Sequence, residues 1–196
     1  MIFLKTSDEI ELLRQANLLV GKALAEVANI IEPGVTTRQL DKVAEEFIRD
    51  NGAIPTFKGY PNHEGTPFPG SICASVNDVV VHGIPNDIPL KEGDIVSVDC
   101  GTLLNGFCGD SCYTFCVGEV DEATKLLLQI TKESLYKGIE QAVHGNVSVI
   151  SVVQCRPIAS RTVTVLYVNL WATVLVETCT SRPRFQIMDA RVTGCS

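Results

Sequence analysis

The chain has 196 residues, enough for one domain with a sizeable core, and it is 45% hydrophobic and 20% charged, as in ordinary globular proteins. Its formal net charge of −7 argues against nucleic acid or an anionic membrane surface as the main partner, and no apolar run is long enough to span a bilayer. The eight cysteines show no CxxC spacing and no signal peptide precedes them, so we expect reduced thiols in a cytoplasmic protein.

The first fifty residues predict two amphipathic helices. Thr6–Glu9 has the capping-box form and precedes apolar residues at helical spacing, which stop before Gly34. A second helix starts at Thr36 and is expected to end at Gly52, a residue suited to a left-handed C-cap. Residues 55–70 are rich in Pro, Gly and His, and we interpret them as a loop.

The pattern then changes to strands. Residues 72–81, 94–101 and 107–117 are rich in β-branched or alternating residues, and Asn105-Gly106 is a typical two-residue hairpin turn. A third amphipathic helix begins near Glu122. This order predicts an α+β fold in which helices cover a curved antiparallel sheet.

Two aspartates in the predicted hairpin are candidate metal ligands. The turn makes Asp99 pair with Cys112 and Asp110 with Gly101, so the two carboxyl groups are diagonal neighbours on one face. Bare carboxylates at that separation repel each other, and a divalent cation relieves the repulsion. The alternative is that both face water at strand ends. We favour the metal because Asp99 follows an apolar run that is expected to be buried.

A histidine, His82, follows the apolar run that ends at Val81. A single histidine in such a place is more often a hydrogen-bonded structural residue than a catalytic one. Here it precedes Gly83 and Pro85, where the chain must turn, and such ends of rigid elements often carry catalytic groups. The residues alone leave both roles open.

Three ordered motifs carry a resemblance to a known family: Val81–Pro85 (VHGIP), Lys91–Gly101 (KEGDIVSVDCG) and Gly106–Ser111 (GFCGDS). Together with most of residues 1–145, they resemble type I methionine aminopeptidase. The resemblance implies the first half of a pita-bread fold and a metal-dependent hydrolase that removes the initiator methionine from nascent polypeptides. It also implies two divalent ions (Co, Mn, Fe or Zn), a cytoplasmic location, substrates met at the ribosome, no binding to nucleic acid or membrane, and a monomer when complete.

The resemblance also implies roles for individual residues. Asp99 and Asp110 match two of the five metal ligands of the family, which are two Asp, one His and two Glu. His82 matches the histidine that contacts the scissile peptide. Three further positions match the methionine side-chain pocket: Phe57, Tyr60 and Cys73. An insert at residues 62–70 departs from the shorter members of the family.

We expect residues 146–196 to lie outside this resemblance. No lysine lies beyond Lys137, and neither the three histidines nor Glu177 has the sequence context of the missing ligands. Read from the third base of each codon, residues 166–176 can be back-translated to a segment that contains Gly-His-Gly-Ile-Gly, the expected ligand motif. We therefore hypothesise a frameshift near Gly145, genuine or an artefact, and expect an out-of-frame, poorly ordered tail. The alternative is a β-prone segment that folds.

Under this hypothesis the chain keeps only two of the five metal ligands of the family, so we expect little or no activity from it. Two other functions remain open: a non-catalytic pita-bread binding protein, or another hydrolase of that fold such as an X-Pro aminopeptidase. Retention of Asp99 and Asp110 disfavours the first, and the VHGIP motif disfavours the second. Half of a two-lobed fold also predicts an uncovered sheet edge and apolar face, which favour aggregation.

Overall fold

The computed structural model describes residues 4–61, 65–141 and 143. Its elements follow the predicted order and are α1 (Ser7–Ala28), α2 (Thr37–Asp50), β1 (Ile54–Pro55), β2 (Ile72–Val76), β3 (Ile95–Leu104), β4 (Phe107–Cys116) and α3 (Glu122–Glu140). The α+β prediction is therefore confirmed. The tail 146–196 and residues 62–64 of the insert lie outside the described residues.

The capping box predicted for α1 is present, and α2 begins with a second one. The Glu9 N–H donates to Thr6 Oγ1 at 3.3 Å, and the Thr6 N–H donates back to the Glu9 carboxylate at 2.7 Å. Thr36 and Gln39 make the same reciprocal pair at the start of α2. These bonds satisfy backbone donors that a helix start otherwise leaves free. After α2 the chain reverses at Gly52, whose φ of 75° needs a residue without a Cβ.

Strand β3 lies at the centre of the sheet. It pairs with β4 along its whole length on one side, and with β2 and the short β1 on the other, always antiparallel. The register of the β3–β4 hairpin is the predicted one, because Asp99 faces Cys112 and Gly101 faces Asp110. The hairpin thus places both aspartates on the same face of the sheet.

The second strand is shorter than predicted. It ends at Val76 instead of Val81, because Asn77 adopts a left-handed conformation with a φ of 52° that breaks the pleat. The Asn77 side chain secures this break, since its amide donates to Asp94 at 2.8 Å and its oxygen accepts the Ile95 N–H at 3.0 Å. The apolar run that follows is an exposed loop rather than a strand.

The hydrophobic core lies between the helices and one face of the sheet. On β3 the core side carries Val96, Val98, Cys100 and Thr102, all buried. Helix α1 packs closely against this face, and the Thr102 hydroxyl donates to the Ala16 carbonyl at 3.2 Å. The alternating residues, including Asp99, point to the opposite face, which these helices do not cover.

Helix α3 buries only two small residues, Ser134 and Gly138. Its exposed apolar side chains within the described part are Leu126, Leu127, Leu135, Tyr136 and Ile139. Within the described residues, α3 therefore presents an apolar surface.

Five cysteines in the described ranges are thiols rather than halves of a disulfide: Cys73, Cys100, Cys108, Cys112 and Cys116. None of the helices described is both long and apolar enough to cross a membrane. The cytoplasmic location itself stays a prediction.

Candidate metal centre

The carboxyl groups of Asp99 and Asp110 meet on the open face of the sheet. The two residues occupy diagonal positions across the β3–β4 pair, and their side chains are hydrogen-bonded to each other. Both are half-buried. A direct bond between two carboxyl groups requires that one of them keep its proton. The sequence-based pairing of these two residues is therefore confirmed, and they do not point separately into water.

The electrostatics of the pair follow from burial. Removal from water, followed by the neighbouring Asp110 carboxylate, raises the pKa of Asp99 to about 7. Burial also raises the pKa of Asp110, whereas the bond from Asp99 opposes this shift. The pair therefore holds one proton between its oxygens over much of the acidic range. A divalent cation could take the place of this proton, because its positive charge would offset the repulsion between the two carboxylates.

The donor set of the pair suits a divalent metal but does not complete a site. Carboxylate oxygens are hard ligands of the kind that such ions prefer. Across the described ranges, however, no group of three or more His, Cys, Asp and Glu side chains is placed to hold a metal ion. Two carboxylates alone hold an ion weakly, so the pair by itself would be only part of a ligand shell.

Phe57 lies beside the aspartate pair. Gly101 faces Asp110 on the open side, and a Cβ at Gly101 would lie 2.2 Å from Thr56 Oγ1 and 2.9 Å from Phe57 Cε1. Thr56 and Phe57 therefore occupy the space that a side chain at position 101 would need. A bond from the Thr56 N–H to the Gly101 carbonyl at 3.1 Å holds this segment against β3.

Cysteines flank Asp99 on both neighbouring strands. Cys73 on β2 is its direct partner on one side and is buried, and Cys112 on β4 is its partner on the other side and is exposed. Cys73 was expected in the substrate pocket, and its position next to Asp99 is compatible with that role. Cys112 and Thr56 were not singled out from the sequence. The hairpin register alone was sufficient to find Cys112.

Tyr60 is placed near Phe57 by a tight turn. The Tyr60 N–H donates to the Phe57 carbonyl at 3.0 Å, and the Tyr60 carbonyl accepts the Phe68 N–H at 2.8 Å. The side chain of Tyr60 is half-buried. Phe57, Tyr60 and Cys73 thus lie on chain segments that converge near the aspartate pair, and their substrate role remains a prediction.

His82 does not end a strand, which corrects the sequence-based placement, because β2 stops at Val76. It lies in the loop that returns along the outer edge of β2 and is exposed, with a left-handed φ of 58°. The next residue, Gly83, anchors this loop. The Ala74 N–H donates to the Gly83 carbonyl at 2.8 Å, and the Gly83 N–H donates to Ser75 Oγ at 3.1 Å.

Known proteins are similar to this chain in sequence. A methionine aminopeptidase of Clostridium acetobutylicum is 50% identical over 147 residues, which are 74% of this chain and 57% of that protein. Methionine aminopeptidase 1 of Bacillus subtilis is 48% identical over 145 residues, or 74% of this chain and 56% of that protein. This chain therefore spans little more than half the length of these curated relatives.

The fold gives the same relationship. The crystal structure of methionine aminopeptidase from Rickettsia prowazekii matches with a TM-score of 0.66 at 40% identity, over 71% of this chain and 54% of that one. The described part is thus the first half of the pita-bread architecture. The profile of metallopeptidase family M24 matches residues 11–159, and the chain belongs to that family.

Proposed function

We propose that this chain carries the N-terminal half of a methionyl aminopeptidase, an enzyme that removes the initiator methionine from nascent polypeptides. The observation that carries the proposal is the half-buried, hydrogen-bonded Asp99–Asp110 pair on the open face of the sheet. Relatives named methionine aminopeptidase at 48–50% identity support the substrate. Membership of a metallopeptidase family implies dependence on a divalent metal.

In this proposal Asp99 and Asp110 are two of the five ligands of a pair of divalent ions, whose identity can be Co, Mn, Fe or Zn. Bound ions of this kind supply an activated water and a polarised substrate carbonyl. The protein contributes the raised pKa of Asp99, because a carboxyl group that releases its proton near pH 7 exchanges that proton for metal under ordinary conditions.

The remaining predicted residues bind the substrate. His82 contacts the scissile peptide, and its left-handed backbone is a strained conformation of the kind that functional sites retain. The methionine side chain lies against Phe57, Tyr60 and Cys73, where an apolar ring, a phenol ring and a thiol make a soft, water-excluding wall. The substrates are nascent N-termini, met at the ribosome in the cytoplasm, and the complete protein is a monomer.

We further propose that the catalytic half-domain spans residues 1–145 and that residues 146–196 are an out-of-frame tail. The remaining His and two Glu ligands would then be missing, and the written chain would have little or no activity.

The deciding experiment is cleavage of a Met-Ala-Ser peptide in the presence of added Co²⁺ or Mn²⁺. We expect turnover from a frame-restored version, little from the chain as written, and little from the frame-restored Asp99→Asn variant. A frame-restored protein that binds metal but does not cleave the peptide would overturn the assigned function. Robust cleavage by the chain as given would overturn its expected inactivity. Coding DNA whose frame is intact across codons 140–150 would overturn the frameshift.

A further inference from the structure

We propose that Asp41 and Glu45, one turn apart on α2, act as positioning residues for the substrate pocket. They hold two short stretches, residues 56–61 and 65–72, which we call the pocket arms and which carry Phe57, Tyr60 and the start of β2. The assignment of the arms to a substrate pocket rests on the proposed function. The contacts themselves rest on geometry alone.

Asp41 fixes the end of the second arm. The N–H groups of Ser71 and Ile72 both donate to its Oδ1, at 2.6 and 2.9 Å. Bonds to a carboxylate are stronger than neutral ones, and these two fall where the arm enters β2. Because Cys73 is the next residue and faces Asp99, the same bonds fix the wall of the aspartate site.

Glu45 fixes the first arm from the next turn of the same helix. Its carboxylate accepts from Lys58 Nζ at 2.5 Å and from Arg49 Nε at 2.9 Å, and its side chain is only 20% exposed. The bond from Lys58 is the main reason that the pKa of Glu45 is lowered. Lys58 lies between Phe57 and Tyr60 in the chain, so this ion pair limits the movement of both rings.

The arms are also bonded to each other. The Gly59 N–H donates to the Phe68 carbonyl at 2.8 Å, and the Phe68 N–H donates to the Tyr60 carbonyl at 2.8 Å. Gly70 then packs so tightly that a Cβ would lie 2.9 Å from the Ile72 carbonyl oxygen and from Pro85. With the arms joined in this way, two anchors on one helix suffice to fix both.

The test uses the full chain and compares Asp41→Ala and Glu45→Gln with Glu46→Gln. Glu46 is the matched control because it lies on the same helix, is exposed, and contacts Lys42 at 3.8 Å rather than either arm. The readout is the rate of alkylation of Cys73 by iodoacetamide, divided by the rate of Cys100. Both thiols are buried, at 6% and 1% exposed, but Cys100 lies on the helix-covered face.

We expect Asp41→Ala to raise the Cys73/Cys100 ratio about tenfold, because two backbone donors lose their acceptor. Asp41→Asn retains an oxygen at Oδ1 and should give a smaller rise, so this conservative variant partly restores the ratio. Glu45→Gln should speed amide hydrogen exchange in residues 56–61 without changing exchange in β3. Glu46→Gln should change neither measurement.

A parallel rise of both thiols in every Asp41 variant, or no rise, would overturn the positioning role. An Asp41→Ala chain that does not fold leaves Asp41→Asn and Glu45→Gln to decide, and unchanged values in both would count against it. Free L-methionine should slow alkylation of Cys73 in the wild type and in Glu46→Gln, but less in Asp41→Ala. Absence of this protection in the wild type would argue against the pocket, and so against the proposed function, whatever the ratio shows.

Discussion

Asp99 and Asp110 are two carboxyl groups that the fold partly removes from water. Their mutual hydrogen bond compensates for this only while one proton remains, because two bare carboxylates at this distance repel. The metal-free protein therefore carries an electrostatic cost at neutral pH, which a bound cation would remove. Functional sites commonly retain such a local cost.

The first prediction concerns pH. The folded pKa of Asp99, about 7, lies above its ordinary value of 3.8, so between these values the folded chain binds more protons than the unfolded chain. The free energy of unfolding therefore falls as the pH rises through this range. Urea unfolding of metal-free protein should give a lower midpoint at pH 8 than at pH 5.

The matched variants are Asp99→Asn and Asp78→Asn. Asp99→Asn should reduce the difference between the two pH values, because the group that titrates is gone. Asp78 lies in an exposed loop, and its replacement should leave the difference as it is. The same pH dependence in all three proteins would show that Asp99 is not its source.

The second prediction concerns Gly83, which holds the loop of His82 against β2. A Cβ at this position would lie 2.2 Å from the Ala74 carbonyl oxygen, and backbone atoms cannot move aside cheaply. Gly83→Ala should lower the free energy of unfolding by about 1–3 kcal/mol. Gly21→Ala, in the middle of α1 with open space around it, should raise it by about 0.5–1 kcal/mol. Chemical denaturation measures both, and equal effects would refute the steric argument.

At the scale of the elements, local signals account for the helix starts and for the hairpin. Capping residues act within one turn, and a two-residue turn sets the register of the strands it joins. β2 is the exception, because its apolar residues continue to Val81 but its pairing ends at Val76. The cause is Asn77, whose side chain bonds to Asp94 and Ile95, residues far along the chain that the local pattern cannot identify as its partners.

The third prediction tests a cap. Thr36→Ala removes the side chain that accepts the Gln39 N–H at 3.3 Å and should lower the free energy of unfolding by about 1 kcal/mol. The control is Thr131→Ala, the same substitution at an exposed position in the middle of α3. There the Thr131 hydroxyl donates to the Leu127 carbonyl. That control should be neutral or slightly stabilising, since alanine favours helix. A loss as large in Thr131→Ala would mean that the cap has no special role.

At the scale of the whole molecule, one face of the sheet is covered by helices, whereas the other carries the acidic pair. The apolar side of α3 is exposed in the described part as well. Surfaces of this kind promote association when nothing covers them. We therefore expect this surface to promote self-association of the chain.

The fourth prediction follows from this surface. Leu135 is 59% exposed on α3, and Leu135→Lys should shift sedimentation at high protein concentration toward smaller species. Leu18, 51% exposed on α1, is the matched control because Leu18→Lys changes charge and volume in the same way on another helix. Equal shifts in both variants would point to a general effect of net charge rather than to α3.

Much of this protein can be read from the sequence alone. Capping boxes, the period of two along the strands and the Asn-Gly turn are local, so they determined the helix starts, the hairpin register and the meeting of Asp99 with Asp110. The tertiary structure alone decided where β2 stops, where the loop of His82 lies, and how Asp41 reaches Ser71 and Ile72. Those contacts join residues far apart in the chain, and no local pattern encodes them because they form only when the helices close over the sheet.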